Sequence, residues 1–271
     1  MSENLRETLA RRIGQRLAAG GRRPLVVGIS GAQGSGKSTL ASDLVADLSG
    51  QGMAAAVLSL DDLYLTREER ARLASRVHPL LATRGVPGTH DLSLAFAAIA
   101  ALERGEAARL PRFDKARDER RPAQDWDHAP AGTQVLLLEG WCLGAAPQEP
   151  AALADPVNAL ERDEDPDLRW RSFVNRALER DYRILFARVD LTVLLAAPGF
   201  EAVFGWRRQQ ERELAERTGG TGDGLMNDAA LDRFIAHYER LTRHILAELP
   251  GRADIVARLG PDRAVLSLME R

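Results

Sequence analysis

Gly31-Ala32-Gln33-Gly34-Ser35-Gly36-Lys37-Ser38 decides how this chain must fold. The stretch fits the phosphate-binding pattern G-x-x-x-x-G-K-[ST] at every specified position. Leu25-Val26-Val27-Gly28-Ile29-Ser30 precedes it, an apolar run of strand length, and residues 39–48 follow with apolar positions at helical spacing. Strand, tight glycine loop and helix start are the context in which the pattern acquires a mechanism. Glycines let the loop wrap so that its amides converge on phosphate oxygens, and the helix N-terminus adds partial positive charge. The nucleotide-binding candidates are therefore Gly31, Ala32, Gln33, Gly34, Ser35, Gly36, Lys37, Ser38 and Thr39. Lys37 is placed to reach the β/γ-phosphates and the Ser38 hydroxyl to meet Mg²⁺.

The totals narrow the class. A chain of 271 residues with 45% hydrophobic and 28% charged content suits one core with insertions. A net charge of −2 points to neither nucleic acid nor an anionic membrane as partner. One cysteine, Cys142, excludes an intrachain disulfide and fits a reducing compartment. No apolar run reaches the ~18 residues needed to span a bilayer. Residues 1–20 carry Leu5, Leu9, Ile13 and Leu17 at four-residue spacing with Glu3 and Glu7 near the start. They read as an amphipathic helix packed on the domain rather than as a transit peptide, and the protein is expected to be cytoplasmic. The sequence carries no signal for an oligomeric state.

Along the chain, residues 54–60 read as a second buried strand running into Asp61-Asp62-Leu63-Tyr64. Residues 66–77 form a helix with Thr66 as N-cap, and Asp91 can cap another reaching about Arg104. Residues 110–127 are too charged for core and read as a substrate-facing excursion. A third strand, residues 134–140, ends in Glu139, and residues 163–167 read as an acidic surface turn. A long helix over 168–189 leads to a fourth strand at 191–196. A helix over 200–217 is closed by Gly219-Gly220, and another runs from about Asp228 to Leu249. Residues 255–257 and 265–268 finish the sheet as a hairpin. The alternation predicts an α/β fold, a mostly parallel sheet flanked by helices. It is one P-loop domain over residues 1–271, with an N-terminal helix (1–20), a substrate-facing insertion (78–130) and a lid region (198–220).

In open α/β sheets ligands bind beyond the carboxyl ends of the strands, so Asp61, Asp62 and Glu139 should share one crevice with the phosphate loop. Asp61 is placed to accept a proton from a substrate hydroxyl; the competing reading is that Asp61-Asp62 caps a turn. Glu139, with Ser38 and Asp61, is a candidate Mg²⁺ ligand. Arg207 and Arg208 could close over a phosphoryl group, or lie on a solvated face paired with Glu211 and Glu213. Arg84, His90, Arg112, Asp114 and Lys115 sit in polar loops, and with Asp62 and Tyr64 they are the substrate-binding candidates. Cationic loops near such a crevice suit a small acidic substrate. Cys142 reads as packing, and Trp141 and Trp206 as site walls or plain core. The histidines show no metal-ligand spacing, so no zinc is expected.

These segments together resemble the small-molecule P-loop kinases of the phosphoribulokinase, uridine kinase and pantothenate kinase type, and within them the plant-type glycerate 3-kinases. The likeness is carried by residues 31–39, Ser59-Leu60-Asp61-Asp62-Leu63-Tyr64-Leu65-Thr66 and Arg84-Gly85-Val86-Pro87-Gly88-Thr89-His90-Asp91. Leu110-Pro111-Arg112-Phe113-Asp114-Lys115, residues 138–144 and residues 206–211 continue it. The resemblance implies ATP and Mg²⁺, phosphorylation of D-glycerate to 3-phosphoglycerate, and Asp61 as catalytic base. Leu63 stands where the group usually has Phe, and residues 116–121 are shorter than the glycine-containing loop usual after the Asp-Lys pair. The catalytic expectation is Lys37, Asp61, Arg207 and Arg208. The competing expectations are a kinase for another acceptor (pantothenate, a nucleoside or a sugar phosphate) and a non-catalytic, nucleotide-switched binding protein.

Overall fold

The computed structural model describes residues 3–21, 23–217 and 228–271. Its frame is β1 (Leu25–Gly31), buried along its whole length. Strands buried on both faces read as continuous apolar runs, which is why Leu25 to Ile29 shows no alternation. β1 leads through the glycine loop into α2 (Lys37–Gly50), behind the N-terminal α1 (Glu3–Ala18). Then come β2 (Ala55–Ser59), a 3₁₀ turn (Leu60–Asp62), α3 (Arg67–Arg76) and α4 (Leu92–Glu103). Two small ribbons follow. β3 (Ala108–Leu110) pairs with β6 (Asp127–Ala129), and β4 (Phe113–Asp114) with β5 (Glu119–Arg120). β7 (Val135–Gly140), α5 (Ala159–Glu164) and α6 (Arg169–Ala177) lead through a π turn (Leu178–Tyr182) to α7 (Arg183–Phe186). The chain ends with β8 (Leu191–Ala196), α8 (Phe200–Arg217), α9 (Asp228–Glu248), β9 (Ile255–Leu259) and β10 (Val265–Glu270).

Among the described residues six strands form the main sheet, in the order β10-β9-β8-β1-β7-β2. All neighbours are parallel except β10, which returns antiparallel along β9. The chain moves from central β1 outward to β2 on one side and to β8 on the other, which opens a crevice at the strand tips. Ile29 and Ser59 both lie level with Glu139, so the tips of β1, β7 and β2 end together.

Alternation along the strands splits the core in two. Val26, Leu136, Leu138, Leu194 and Val256 face α4, the π turn and α9. Val27, Ile29, Val135, Leu137, Val193 and Leu195 face α1, α2 and α8. Leu5, Leu9 and Ile13 of α1 are fully buried there, and Arg6 reaches Asp47 of α2 at 2.8 Å. No helix among the described residues is long and apolar enough to cross a membrane.

Several boundaries differ from the sequence reading. Thr66 caps α3 as expected, in a reciprocal box with Glu69. Asp91 stands at the start of α4, but its carboxylate makes no cap; it takes Ser93 Oγ at 2.5 Å and Arg120 at 3.3 Å. α4 itself packs into the core through Ala95, Ile99 and Leu102, so the middle of the 78–130 stretch is scaffold. The 163–167 segment is exposed as expected, with a turn at Pro166-Asp167, except at Asp165. Asp165 is fully buried, accepting from the amides of Trp170 (2.8 Å) and Arg171 (3.2 Å) and from Arg171 Nε (2.9 Å). A buried acid needs such donors, and sequence composition alone hid them. The helix expected over 168–189 ends at Phe186 and contains the π turn. The Gly219-Gly220 closure lies outside the described residues.

Candidate active site

The phosphate loop is held open by backbone geometry. Gly34 and Gly36 have φ of 79° and 88°, which L side chains rarely adopt. A Cβ on Gly31 would lie 2.6 Å from Ser35 Oγ. Gly36 precedes α2 with no side-chain cap, so the first amides of that helix remain available to an anion. Lys37 and Ser38 open the helix. Ser38 Oγ donates to Glu139 Oε1 at 3.0 Å, and Lys37 Nζ lies 3.9 Å from Glu139 Oε2. Glu139 is buried, and no described donor hydrogen-bonds its Oε2. A buried carboxylate oxygen without a donor beside a serine hydroxyl is a donor set that fits a hard cation such as Mg²⁺.

Asp61 sits on the 3₁₀ turn beyond β2, its amide donating to Ser59 Oγ at 3.2 Å. Each of its carboxylate oxygens accepts from a protein donor. Tyr64 Oη donates to Oδ1 at 2.6 Å and Lys115 Nζ to Oδ2 at 2.5 Å. Burial pushes the Asp61 carboxyl up, but the charges of Lys115 and Lys37 with the bonds from Lys115 and Tyr64 outweigh it and hold it well below the usual range. The charge of Asp61, against the cost of burial, raises Lys115. Gly140 lets this turn approach β7: a Cβ there would lie 2.4 Å from Leu60 Cδ1.

The other substrate candidates each have protein partners as well. Asp62 accepts from Arg112 Nη1 (2.5 Å) and the amide of Phe113 (2.9 Å), so it anchors β4. Arg112 also pairs with Asp127. Arg84 pairs with Asp118 and lies over the Phe113 ring at 5.8 Å. Asp114 ties its own turn through the amides of Ala116 (3.0 Å) and Arg117 (3.1 Å). The Tyr64 ring packs on His90 at 4.9 Å and against Phe113 at 5.2 Å. His90 Nδ1 meets Tyr182 Oη at 2.5 Å, and burial, only partly offset by Asp61, lowers its pKa to about 4. The imidazole is therefore neutral at pH 7.

Arg207 and Arg208 part company. Arg208 pairs with Asp228 at 3.1 Å and lies over Phe204. Arg207 lies over Phe234 at 5.8 Å, and its charge acts on Tyr238, which Asp61 also influences. The side chains of Glu211 and Glu213 lie outside the described residues. Trp141 and Trp206 are buried, donating to Gly85 O (2.8 Å) and Pro261 O (2.6 Å). Cys142 is fully buried, and burial pushes its thiol up, which suits packing.

Three residues near the crevice escaped the sequence reading. Arg120 bonds Tyr64 O at 3.1 Å as well as Asp91, and Arg263 Nε holds the phosphate-loop carbonyl of Gly34 at 2.7 Å. Tyr182 supports the Gly88–His90 loop from the π turn, a feature common at functional sites. Neither arginine matches a motif, and a π turn has no sequence signal. Ligand atoms of His78, Asp165 and Asp167 also fall within 4.8 Å of one another, a cluster that spacing did not suggest. Asp165 there is already satisfied by Arg171 and two amides.

A phosphate loop opening a helix, an acid at the neighbouring strand tip and an aspartate at the next define an ATP-dependent small-molecule kinase of the P-loop class, and relatives bear that out. The chain belongs to the phosphoribulokinase/uridine kinase family, which matches residues 26–176. It is 35% identical over 226 residues to the uncharacterized kinase mug58 of Schizosaccharomyces pombe, covering 80% of this chain and 79% of that one. It is 32% identical over 253 residues to the chloroplastic D-glycerate 3-kinase of Arabidopsis thaliana, covering 89% of this chain but only 52% of that longer protein. Among solved structures, the D-glycerate 3-kinase of Cryptococcus neoformans superposes with a TM-score of 0.80 at 25% identity, covering 100% of both chains.

Proposed function

We propose that this kinase transfers the γ-phosphoryl group of ATP to the hydroxyl of a small hydroxy acid, D-glycerate, giving 3-phosphoglycerate. The observation that carries the reading is the convergence of two pairs on one crevice, Ser38 with Glu139 and Asp61 with Lys115. The likeness to two D-glycerate 3-kinases supports the choice of acceptor.

In this reading the amides of residues 31–39 and Lys37 hold the triphosphate. Ser38 and Glu139 would hold Mg²⁺, which when bound offsets charge on the phosphates. Asp61 accepts the proton of the attacking hydroxyl, and each of its oxygens also accepts from a protein donor. Lys115 and the Arg84, Arg112 and Arg120 group give the mouth its positive charge toward a carboxylate. Arg207 and Arg208 of α8 are the lid arginines. The chain works as one domain, with loops within 78–130 facing the acceptor and 198–220 acting as the lid.

A coupled ADP-release assay with D-glycerate, pantothenate, uridine and ribulose 5-phosphate tests it. Glycerate-dependent ADP with 3-phosphoglycerate as product is expected. Turnover with another of the four alone would refute glycerate, and acceptor-independent behaviour throughout would refute the reading.

A further inference from the structure

Each Asp61 oxygen already accepts from a protein donor, and both donors stabilise the carboxylate, so it becomes a better proton acceptor when one partner leaves. Tyr64 is not that partner. It is 4% exposed and wedged between His90 and Phe113. Lys115 is different: its side chain is 56% exposed, on a flexible four-carbon stem. Its backbone is fixed, since Asp114 gathers the amides of Ala116 and Arg117, and Arg84 Nη2 reaches Lys115 O at 3.4 Å. The ammonium can therefore swing without moving the loop.

Other cations around the mouth are already held. Arg112 lies between Asp62 and Asp127, Arg84 on Asp118, and Arg120 between Asp91 and Tyr64 O. Lys115 is held by Asp61, the group that needs to be uncovered.

We propose that Lys115 determines acceptor specificity by keeping Asp61 closed until a carboxylate on the acceptor draws its ammonium away. This rests on Asp61 being the proton acceptor of the proposed reaction. A hydroxy acid carries both groups a few bonds apart, so one molecule displaces Lys115 and presents its hydroxyl to the freed Oδ2. The hydroxyl O–H bond then breaks with its proton going to Asp61. The new O–P bond forms as the bridging bond to the γ-phosphorus breaks, and ADP leaves with that electron pair. Water carries no carboxylate, leaves Lys115 in place and is a poor acceptor. The pair thereby couples acceptor recognition to suppression of ATP hydrolysis.

The test measures ADP release without acceptor for the full chain and for Lys115→Met, Lys115→Arg and Lys115→Met/Asp61→Asn. Removing the ammonium should raise acceptor-free hydrolysis at least about five-fold, a small part of what a freed general base can supply. Lys115→Arg should hold it near the wild-type rate, and Asp61→Asn should abolish the rise. The preference for glycerate over glycerol should shrink at least about ten-fold in Lys115→Met, through a raised KM for glycerate, as expected when one charged contact is lost. Unchanged or slower hydrolysis in Lys115→Met, a rise that survives Asp61→Asn, or loss of ATP affinity in Lys115→Met would each overturn the proposal. If the wild-type protein ignores glycerate, that acceptor falls, while acceptor-free hydrolysis still decides the role of Lys115.

Discussion

Ser38 Oγ donates to Glu139 Oε1 at 3.0 Å, joining the first turn of the phosphate-loop helix to the tip of the adjacent strand. Lys37 stands 3.9 Å from the other oxygen of the same carboxylate. Glu139 is thus an acid that both nucleotide-loop side chains face. Glu139→Gln keeps the shape and removes the charge. We expect its kcat to fall about 10²-fold or more, the scale of removing one preorganised electrostatic group, with a raised Mg²⁺ requirement in a metal titration.

Asp61→Asn should lower kcat/KM for the acceptor by about 10²–10⁴-fold while ATP affinity is preserved. Isothermal titration with a non-hydrolysable ATP analogue, set beside steady-state rates, separates the two. A loss confined to ATP binding would contradict the role given to Asp61.

Acid should weaken the fold before the carboxylates titrate. Burial lowers the pKa of His90 and of His237 to about 4, from 6.5. Between those values the unfolded chain binds more protons than the native one, so stability rises with pH there. The contribution is fully present above pH 6.5, declines as pH falls toward 4, and amounts to on the order of 3 kcal/mol for each ring. Urea denaturation at pH 7.5, 6 and 5 measures it. His237→Phe should flatten the slope by about half, and an unchanged slope would count against a buried neutral His237.

Asp165→Ala should be among the costliest changes far from the crevice. Arg171 is almost fully buried, with Asp165 at 2.9 Å and Glu161 at 3.4 Å, and Arg240 meets Glu161 at 2.7 Å. Removing one carboxylate leaves excess buried positive charge, at a cost of about 3 kcal/mol. Thermal melts of the variant and of Asp163→Ala, an exposed neighbour, should differ by several degrees.

What was legible in the sequence was local. The glycine loop, its flanking strand and helix, and the acid ending Val135–Gly140 follow from short-range pattern, and the fold keeps them nearly residue for residue. The Thr66 cap was equally local. What escaped depends on partners far along the chain. Lys115 finds Asp61 across 54 positions, and Arg112 finds Asp62 across 50. Loose cations in polar loops thus became members of pairs. The 163–167 acids looked solvated because charge runs usually are, yet Arg171 and two amides turned Asp165 inward. The π turn leaves no trace in apolar spacing.

The level tips of β1, β7 and β2 carry a consequence for how the catalyst comes into being. Ser38 and Glu139 are 101 positions apart, and the parallel ladder that brings them together closes only when the whole intervening chain has emerged and docked. Such non-local pairing is slow, because the entropy of a long loop is lost before its contacts form. A half-made chain therefore holds a complete glycine loop with no chemistry attached to it. Competence to turn over ATP should arrive late and all at once, with the docking of one strand.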